Sequence, residues 1–173
     1  MSIARALFRV AGERGLEEVS LRHVAAAAGV STGAVQHYFR SRDEMMLFAL
    51  SVIRENVRGR VAVALAALGP DPSPRALVRA ALLEMLPLDE PRTADARVGL
   101  MFNAYAAVRP EVAAELRTEV AQSRAFMASL VGDQAAVGLL AMAEGMAAFL
   151  LGGHYDAATA VRAVDAQLDL LSF

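Results

Sequence analysis

The amino-acid sequence predicts an all-α protein of about nine helices, in which a small N-terminal head of three helices precedes a larger helical body. Of the 173 residues 37 are Ala, and aromatic residues make up only 6%. Alanine favours helices, whereas aromatic residues are enriched in strands. Apolar residues recur at spacings of three and four, and no stretch alternates with the period of two that a half-buried strand requires. These observations exclude a disordered chain and disfavour an all-β fold.

Two short helices are predicted first. One begins at Ile3, carries apolar residues on one face and ends near Gly12. A second spans 21–28, because the Ser20 hydroxyl can cap its start and Gly29 can adopt the left-handed conformation that ends a helix.

A third short helix and one long helix follow. Ser31 is a suitable N-cap for a helix over 32–39. Ser41 and Glu44 have the Ser-x-x-Glu spacing of a capping box, which predicts a long helix over 42–68.

The tetrapeptide 69–72, Gly-Pro-Asp-Pro, interrupts the helices most clearly. Ser73 followed by Pro74 is typical of a helix start, and this helix ends near Pro87. Proline or aspartate at the first positions predicts the remaining helices over 91–108, 110–131, 134–152 and 157–172, with Asp133 and Asp156 as the caps of the last two.

Charge and helix pattern together predict two domains, a head over 1–45 and a body over 46–173. Residues 1–60 carry nine Arg and six acidic residues (+3), whereas 61–173 carry eight Arg and thirteen acidic residues (−5). A basic end on an acidic carrier is typical of a module that faces DNA or another anion.

Several classes of protein are disfavoured. The chain has no Cys, which excludes disulfide scaffolds and thiolate zinc sites. No nucleophile elbow, phosphate-binding loop or His-Glu-x-x-His motif is present, so we expect neither an enzyme nor a bound metal or cofactor. The apolar stretch 135–153 approaches membrane-spanning length, but Glu144 lies at its centre, which favours a buried helix of a soluble, cytoplasmic protein over a membrane-associated sensor.

Residues 20–42 resemble a helix-turn-helix. Gly29 permits a tight turn, the small Ala25 permits close approach of the two helices, and an apolar seam including Val24, Val30 and Val35 fixes their angle. In such a motif the start of the second helix enters the major groove. A plain helical hairpin in an ordinary bundle is the alternative.

The residues that this arrangement turns outward are the predicted DNA contacts. Gln36 can pair with adenine and the Ala34 methyl can touch a thymine methyl, whereas hydroxyls, helix-start amides and guanidinium groups suit phosphates. The full predicted set is Ser20, Arg22, Ser31, Thr32, Gly33, Ala34, Gln36, His37, Tyr38 and Arg42.

The same residues carry a family resemblance. The run 16–25, Leu-Glu-Glu-Val-Ser-Leu-Arg-His-Val-Ala, followed by 28–39, Ala-Gly-Val-Ser-Thr-Gly-Ala-Val-Gln-His-Tyr-Phe, resembles the DNA-binding head of the tetracycline-repressor (TetR) family. The resemblance covers roughly residues 3–50. Two departures stand out: Gln36 replaces a Tyr of many members, and the chain begins almost inside the first helix, where many members carry a basic arm.

The resemblance implies a homodimer of all-helical subunits, usually a repressor, that a small ligand in the body releases from DNA. The segment 86–90 with 94–102 is similar to the body of the betaine-inhibitor-like branch.

An effector pocket is expected on the middle helices, where methionine and aromatic residues could adapt to a ligand. A plain core is the alternative for such residues, and Glu144 could meet either a structural partner or a cationic ligand. Because Trp is absent and only three Tyr are present, a largely apolar effector is favoured over a quaternary ammonium. The candidates are Met85, Met101, Phe102, Tyr105, Phe126, Met127, Met142 and Glu144.

A dimer face is predicted on the last two helices, which would form a four-helix bundle with those of a second copy. Small residues on one helix and apolar residues on the other recur at spacings of three and four, and packing within one chain is the alternative. The predicted residues are Gly138, Ala141, Gly145, Ala148, Gly152, Val161, Val164, Leu168 and Leu171.

The sequence therefore predicts a cytoplasmic homodimeric repressor that binds a pseudo-palindromic operator in double-stranded DNA and leaves it when a small, largely apolar effector binds. The alternatives are a DNA-binding protein without an effector and a small-molecule-binding protein whose head is not functional.

Overall fold

The computed structural model describes residues 3–171 and Phe173, except for the side chains of Leu16, Glu115 and Glu119. These described residues form nine α-helices and one short 3-10 helix, Leu16–Glu18, without a strand, which confirms the predicted all-α class. The α-helices are α1 Ile3–Arg14, α2 Leu21–Ala28, α3 Thr32–Tyr38, α4 Arg42–Ala66, α5 Pro74–Met85, α6 Glu90–Ala107, α7 Pro110–Val131, α8 Asp133–Leu151 and α9 Ala157–Asp169.

The ends of the body helices follow the expected capping residues with one exception. The Ser73 hydroxyl accepts a hydrogen bond from the Ala76 amide at 3.3 Å, and the Asp156 carboxylate accepts one from Thr159 at 2.6 Å. Asp133 is not a cap: the N-cap of α8 is Gly132, which has a φ of 79° and makes no side-chain cap.

Asp133 instead pairs with Arg124 of α7. The Arg124 Nε donates to Asp133 Oδ1 at 2.6 Å, and Nη2 donates to the second oxygen. These hydrogen bonds lower the pKa of the Asp133 carboxyl below its ordinary value. The Asp133 carboxylate therefore forms a bidentate ion pair instead of the helix cap that the sequence predicted.

The chain divides into two compact units. The first comprises the described residues up to Glu55 together with Arg97–Val112, and the second comprises Asn56–Ala96 together with the described residues from Ala113 onward. This division differs from the sequence-based boundary at residue 45. Because α4 continues without a break through that position, its first half belongs with the head.

The core of the second unit lies between α5, α8 and α9. Leu82 of α5, Leu139 of α8 and both Val164 and Leu168 of α9 are fully or almost fully buried in it. Val164 and Leu168 therefore pack inside a single chain, which corrects their assignment to a face that a partner would cover. A helix periodicity of three and four marks a buried stripe but does not say which helix covers it.

Ion pairs along the edge of this core join α5 to α9. The Arg79 guanidinium donates to both Asp165 oxygens, from Nε at 2.6 Å and from Nη2 at 3.0 Å, and Arg75 donates to Asp169 at 2.5 Å. The hydrogen bond from Arg79 lowers the pKa of the Asp165 carboxyl. The bidentate geometry fixes the register of the two helices.

A second set of ion pairs joins α4, α5 and α6 within the second unit. The Arg60 guanidinium lies 2.7 Å from the Asp95 carboxylate and 3.4 Å from Glu84. Arg92 lies 3.3 Å from the same Glu84 and 2.9 Å from Asp89. Glu84 of α5 thus pairs with Arg60 of α4 and with Arg92 at the start of α6, and it links the three helices.

Helix α8 buries little of its apolar surface in a single chain. It has 19 residues and a mean hydropathy of 1.6, and only 22% of that stretch is buried. In length and composition it could cross a membrane, and it is the one helix among the described residues of which this holds. Gly138, Ala141 and Gly145 of the predicted dimer stripe are exposed, whereas Ala148 of that stripe is half-buried; the exposed neighbours of the stripe include Val137, Glu144 and Phe149.

Gly152, the last glycine of the predicted dimer stripe, has a local role. A Cβ atom at this position would lie 2.9 Å from the His154 ring, so a side chain there would displace His154. That ring packs edge-on against Phe149, as does the ring of Tyr155. The glycine makes room for an aromatic cluster at the end of α8.

Candidate nucleic-acid interface

The first three helices share one small apolar core. Leu7 of α1, Val24 of α2 and Val35 of α3 are completely buried. The Arg9 guanidinium donates to the Ala27 carbonyl at 2.5 Å and ties α1 to the end of α2. The second and third helices are thus held on a fixed support, which is what a recognition motif requires.

The turn between α2 and α3 depends on Gly29. This residue has a φ of 74°, its amide donates to the Ala26 carbonyl, and the amide of Val30 donates to Ala25 at 3.1 Å. The bond from Val30 spans six residues, as in a Schellman motif. The side chain of Val30 is 41% exposed, so it is not part of the seam to which the sequence assigned it.

Replacing Gly29 with alanine is expected to lower the free energy of unfolding by about 1 kcal/mol, because a left-handed backbone strains a residue with a Cβ. No neighbouring atom lies within 4 Å of the added methyl, so the backbone strain is isolated from steric clash. Gly12→Ala, inside α1, is the matched control and should raise the free energy of unfolding by roughly 0.5–1 kcal/mol. Denaturant melts of both variants measure the two changes, and equal effects would contradict the assigned role of Gly29.

Serine hydroxyls fix the starts of the next three α-helices, α2, α3 and α4. The Ser20 Oγ accepts from the His23 amide at 3.2 Å, and the Ser31 Oγ accepts from the Ala34 amide at 3.1 Å. The Ser41 Oγ accepts from the Glu44 amide at 3.1 Å, and the Glu44 carboxylate accepts from the Arg40 amide at 2.6 Å. The predicted capping serines are therefore all in use.

Helix α3 leaves most of its side chains accessible, since Val35 is its one buried residue. Of the ten predicted DNA contacts none is buried. The exposed ones are Arg22, Ser31, Gly33, Gln36, His37 and Tyr38, and the half-buried ones are Ser20, Thr32, Ala34 and Arg42. These ten accessible residues are together called the α3 face below.

One cluster beside this face was not predicted. Tyr105 of α6 donates a hydrogen bond from its hydroxyl to the Asp43 carboxylate in the first turn of α4. The Arg109 guanidinium lies 3.8 Å and that of Arg42 5.4 Å from the centre of the Tyr105 ring. Burial, and then the hydrogen bond to Asp43, raise the pKa of the Tyr105 hydroxyl. No local sequence signal could join residues 62 positions apart.

The first unit also has a groove with an apolar lining. It has a volume of about 490 Å³ and is lined by Ile3, Tyr38, Phe39 and Phe48. These residues are not among the predicted effector contacts, which were expected on the middle helices.

The predicted effector residues are divided between the two units. Met101, Phe102 and Tyr105 belong to the first unit, whereas the other five belong to the second. Phe102 and Met127 are buried, Met85, Met101 and Met142 are half-buried, and Phe126 is exposed. Glu144 is exposed rather than enclosed in apolar surroundings, because it lies on the outer side of α8.

Among the residues that the structure describes, no group of three or more His, Asp or Glu side chains could hold a metal ion.

These features define a class of protein: a small helical head with an accessible recognition helix, joined to a larger helical body. A family model described as bacterial regulatory proteins of the TetR family matches residues 3–48. The crystal structure of a transcriptional regulator from Rhodococcus sp. Rha1 matches this chain with a TM-score of 0.88. The two sequences are 35% identical, and the match covers 98% of this chain and 93% of that one.

Two curated regulators are also similar. PksA of Bacillus subtilis is 40% identical over 60% of this chain, and the match spans about half (49%) of PksA. BetI of Stenotrophomonas maltophilia is 29% identical over 90% of this chain and 83% of BetI. The chain belongs to the TetR family and is a transcriptional regulator with a DNA-binding head, not an enzyme.

Proposed function

We propose that the chain is a cytoplasmic homodimeric repressor that binds a pseudo-palindromic operator and that a small, largely apolar effector releases from DNA. The observation that supports this most strongly is the α3 face, in which a rigidly supported helix leaves its polar side chains accessible. A plain helical hairpin in a bundle would use such a helix for packing on more than one side.

The α3 face offers two kinds of contact. Gln36 is exposed and can form two hydrogen bonds with an adenine edge, while the Ala34 methyl can touch thymine. Arg22, Tyr38 and Arg42 are suited to phosphates, which fix position without reading sequence. Base reading is therefore assigned to the middle of α3 and anchoring to its surroundings.

Dimerisation is proposed through the exposed side of α8. The stripe of Gly138, Ala141 and Gly145 is accessible and apolar, and small residues permit close helix approach. Two-fold symmetry then places the heads on two half-sites about 34–36 Å apart, one turn of DNA.

The effector is proposed to be largely apolar, and the surroundings of two polar candidates support this. Tyr105 donates its hydroxyl to Asp43, and Glu144 faces outward. Met85, Met127 and Met142 remain in the second unit, and thioether side chains adapt to irregular apolar ligands.

A fluorescence-anisotropy titration tests the proposal. A duplex from the region upstream of the gene and a scrambled duplex are titrated at two salt concentrations, and the complex is weighed by light scattering. Sequence-dependent binding by a dimer is expected, followed by release when an apolar compound library is added. Binding that no compound releases would favour a regulator without an effector, and binding to neither duplex would favour a small-molecule-binding protein with a non-functional head.

Substitutions at Gln36 and Arg42 are expected to separate the two kinds of contact. Gln36→Ala should lose about 1–3 kcal/mol of discrimination at one base pair and leave the salt dependence unchanged. Arg42→Gln should weaken all duplexes alike and reduce the slope of log K against log salt by about one contact. Arg117→Gln, an exposed arginine on α7, is the control for charge. Identical effects of the two substitutions would refute the division.

A further inference from the structure

We propose that Tyr105 is a positioning residue for DNA binding: its ring and hydroxyl hold Arg42 and Asp43, the first two residues of α4, so that the Arg42 guanidinium is prepared for a phosphate. This inference rests on the proposed function, which assigns Arg42 to a phosphate contact.

The position of Tyr105 supports this role. It lies on α6 but belongs to the same compact unit as the head, and it is only 8% exposed. Its hydroxyl donates to the Asp43 carboxylate, and the Phe102 ring packs at 6.2 Å from its own. Tyr105 is therefore fixed on α6, and its side chain contacts the start of α4.

The start of α4 is close to the recognition helix in sequence. Helix α3 ends at Tyr38 and α4 begins at Arg42, so three residues separate the two helices. Phe39, the first of these, is buried, which fixes the connection. A group that anchors the first turn of α4 consequently anchors the end of the α3 face.

The ring of Tyr105 also lies against two arginine side chains. The Arg109 guanidinium is 3.8 Å and the Arg42 guanidinium 5.4 Å from its centre, within the range of a cation–π interaction. An arginine side chain loses much rotamer freedom when it binds a phosphate. If the ring already restricts Arg42, less of that freedom remains to be lost on DNA.

The hydroxyl has a separate task. A carboxylate in the first turn of a helix is stabilised by the helix dipole, and Asp43 follows Arg42 directly in that turn. The phenol donates a hydrogen bond to this carboxylate and holds it in place. The hydroxyl therefore fixes the turn from which the Arg42 side chain extends.

A double-mutant cycle on operator affinity tests the inference. Tyr105→Leu removes ring and hydroxyl and is expected to weaken operator binding roughly tenfold, as loss of a partly desolvated cation–π contact predicts. Tyr105→Phe keeps the ring and should weaken binding about threefold, the size of one lost hydrogen bond. In an Arg42→Gln background each change should cost less than about twofold, because the residue being positioned is gone.

The controls separate positioning from folding. Circular dichroism and light scattering establish that each variant is folded and in the wild-type oligomeric state at the assay temperature, and Tyr105→Phe remains informative if Tyr105→Leu unfolds. Equal losses with and without Arg42, or an affinity that does not change in folded variants, would overturn the positioning role and leave the proposed function intact. A wild-type protein that does not distinguish operator from scrambled duplex would overturn both. An Arg42→Gln variant that behaves like Arg117→Gln would overturn the positioning role and the phosphate contact assigned to Arg42, and would leave the rest of the proposed function intact.

Discussion

Replacing Ala141 with arginine is expected to convert the proposed dimer into a monomer and to weaken operator binding by at least about a hundredfold. Ala141 lies in the middle of the exposed small-residue stripe of α8, between Gly138 and Gly145. An arginine there would place a long charged side chain between two closely packed helices, and the steric clash together with the desolvation of the charge costs several kcal/mol. The isolated subunit should tolerate it, because arginine is a good helix former and the position is exposed in one chain.

The loss of DNA affinity follows from the loss of the second head. Two linked heads bind a two-half-site operator about 10²–10⁴ times more tightly than one head binds a half-site. Light scattering measures the mass of the variant, and anisotropy measures its affinity for a full operator and for a single half-site. The half-site affinity should be unchanged.

Ala121→Arg on α7 is the matched control, since Ala121 is also exposed but lies outside the stripe. It should remain dimeric and bind the operator normally. An Ala141→Arg variant that remains dimeric would show that copies of the chain associate through another surface.

Replacing Leu168 with alanine is expected to lower the free energy of unfolding by about 2–5 kcal/mol, the usual cost of a leucine-to-alanine change in a core. Leu168 is completely buried within one chain, in the cluster that contains Val78 and Leu82 of α5 and Leu139 of α8. The loss includes both the transfer of the side chain and the cavity that remains. For a regulator of ordinary stability this is a large fraction of the total.

Leu170→Ala provides the comparison, because Leu170 is two positions away and 77% exposed. It should change the free energy of unfolding by less than about 0.5 kcal/mol. Denaturant unfolding over a range of protein concentrations measures both variants. The loss of unfolding free energy caused by Leu168→Ala should be the same at every protein concentration. A loss that changes with protein concentration would place Leu168 at the contact between subunits.

Local chemistry made most helices predictable from the sequence. Ser20, Ser31 and Ser73 act as caps where the sequence placed them, and Gly29 adopts the expected left-handed backbone. These signals work because a cap or a turn depends on residues only a few positions apart.

Packing between distant residues was not predictable in the same way. The periodicity of α9 identified Val164 and Leu168 as a buried stripe, but it could not say that α5 of the same chain covers them. Hydropathy suggested that Glu144 is enclosed, yet α8 turns it outward. Tyr105 was assigned to a pocket because aromatic residues often line one, and its hydrogen bond to Asp43 depends on a tertiary contact.

The hydroxyls of Ser20 and Ser31 have a consequence for how DNA and protein influence each other. Each oxygen accepts a hydrogen bond from a backbone amide, which leaves the hydrogen of the same hydroxyl to be donated elsewhere. A phosphate oxygen that received this hydrogen would polarise the hydroxyl and make it a better acceptor for the amide. Such an effect is reciprocal. If operator binding stabilises the first turns of α2 and α3, then a change that stabilises those turns in the free protein strengthens operator binding by the same factor.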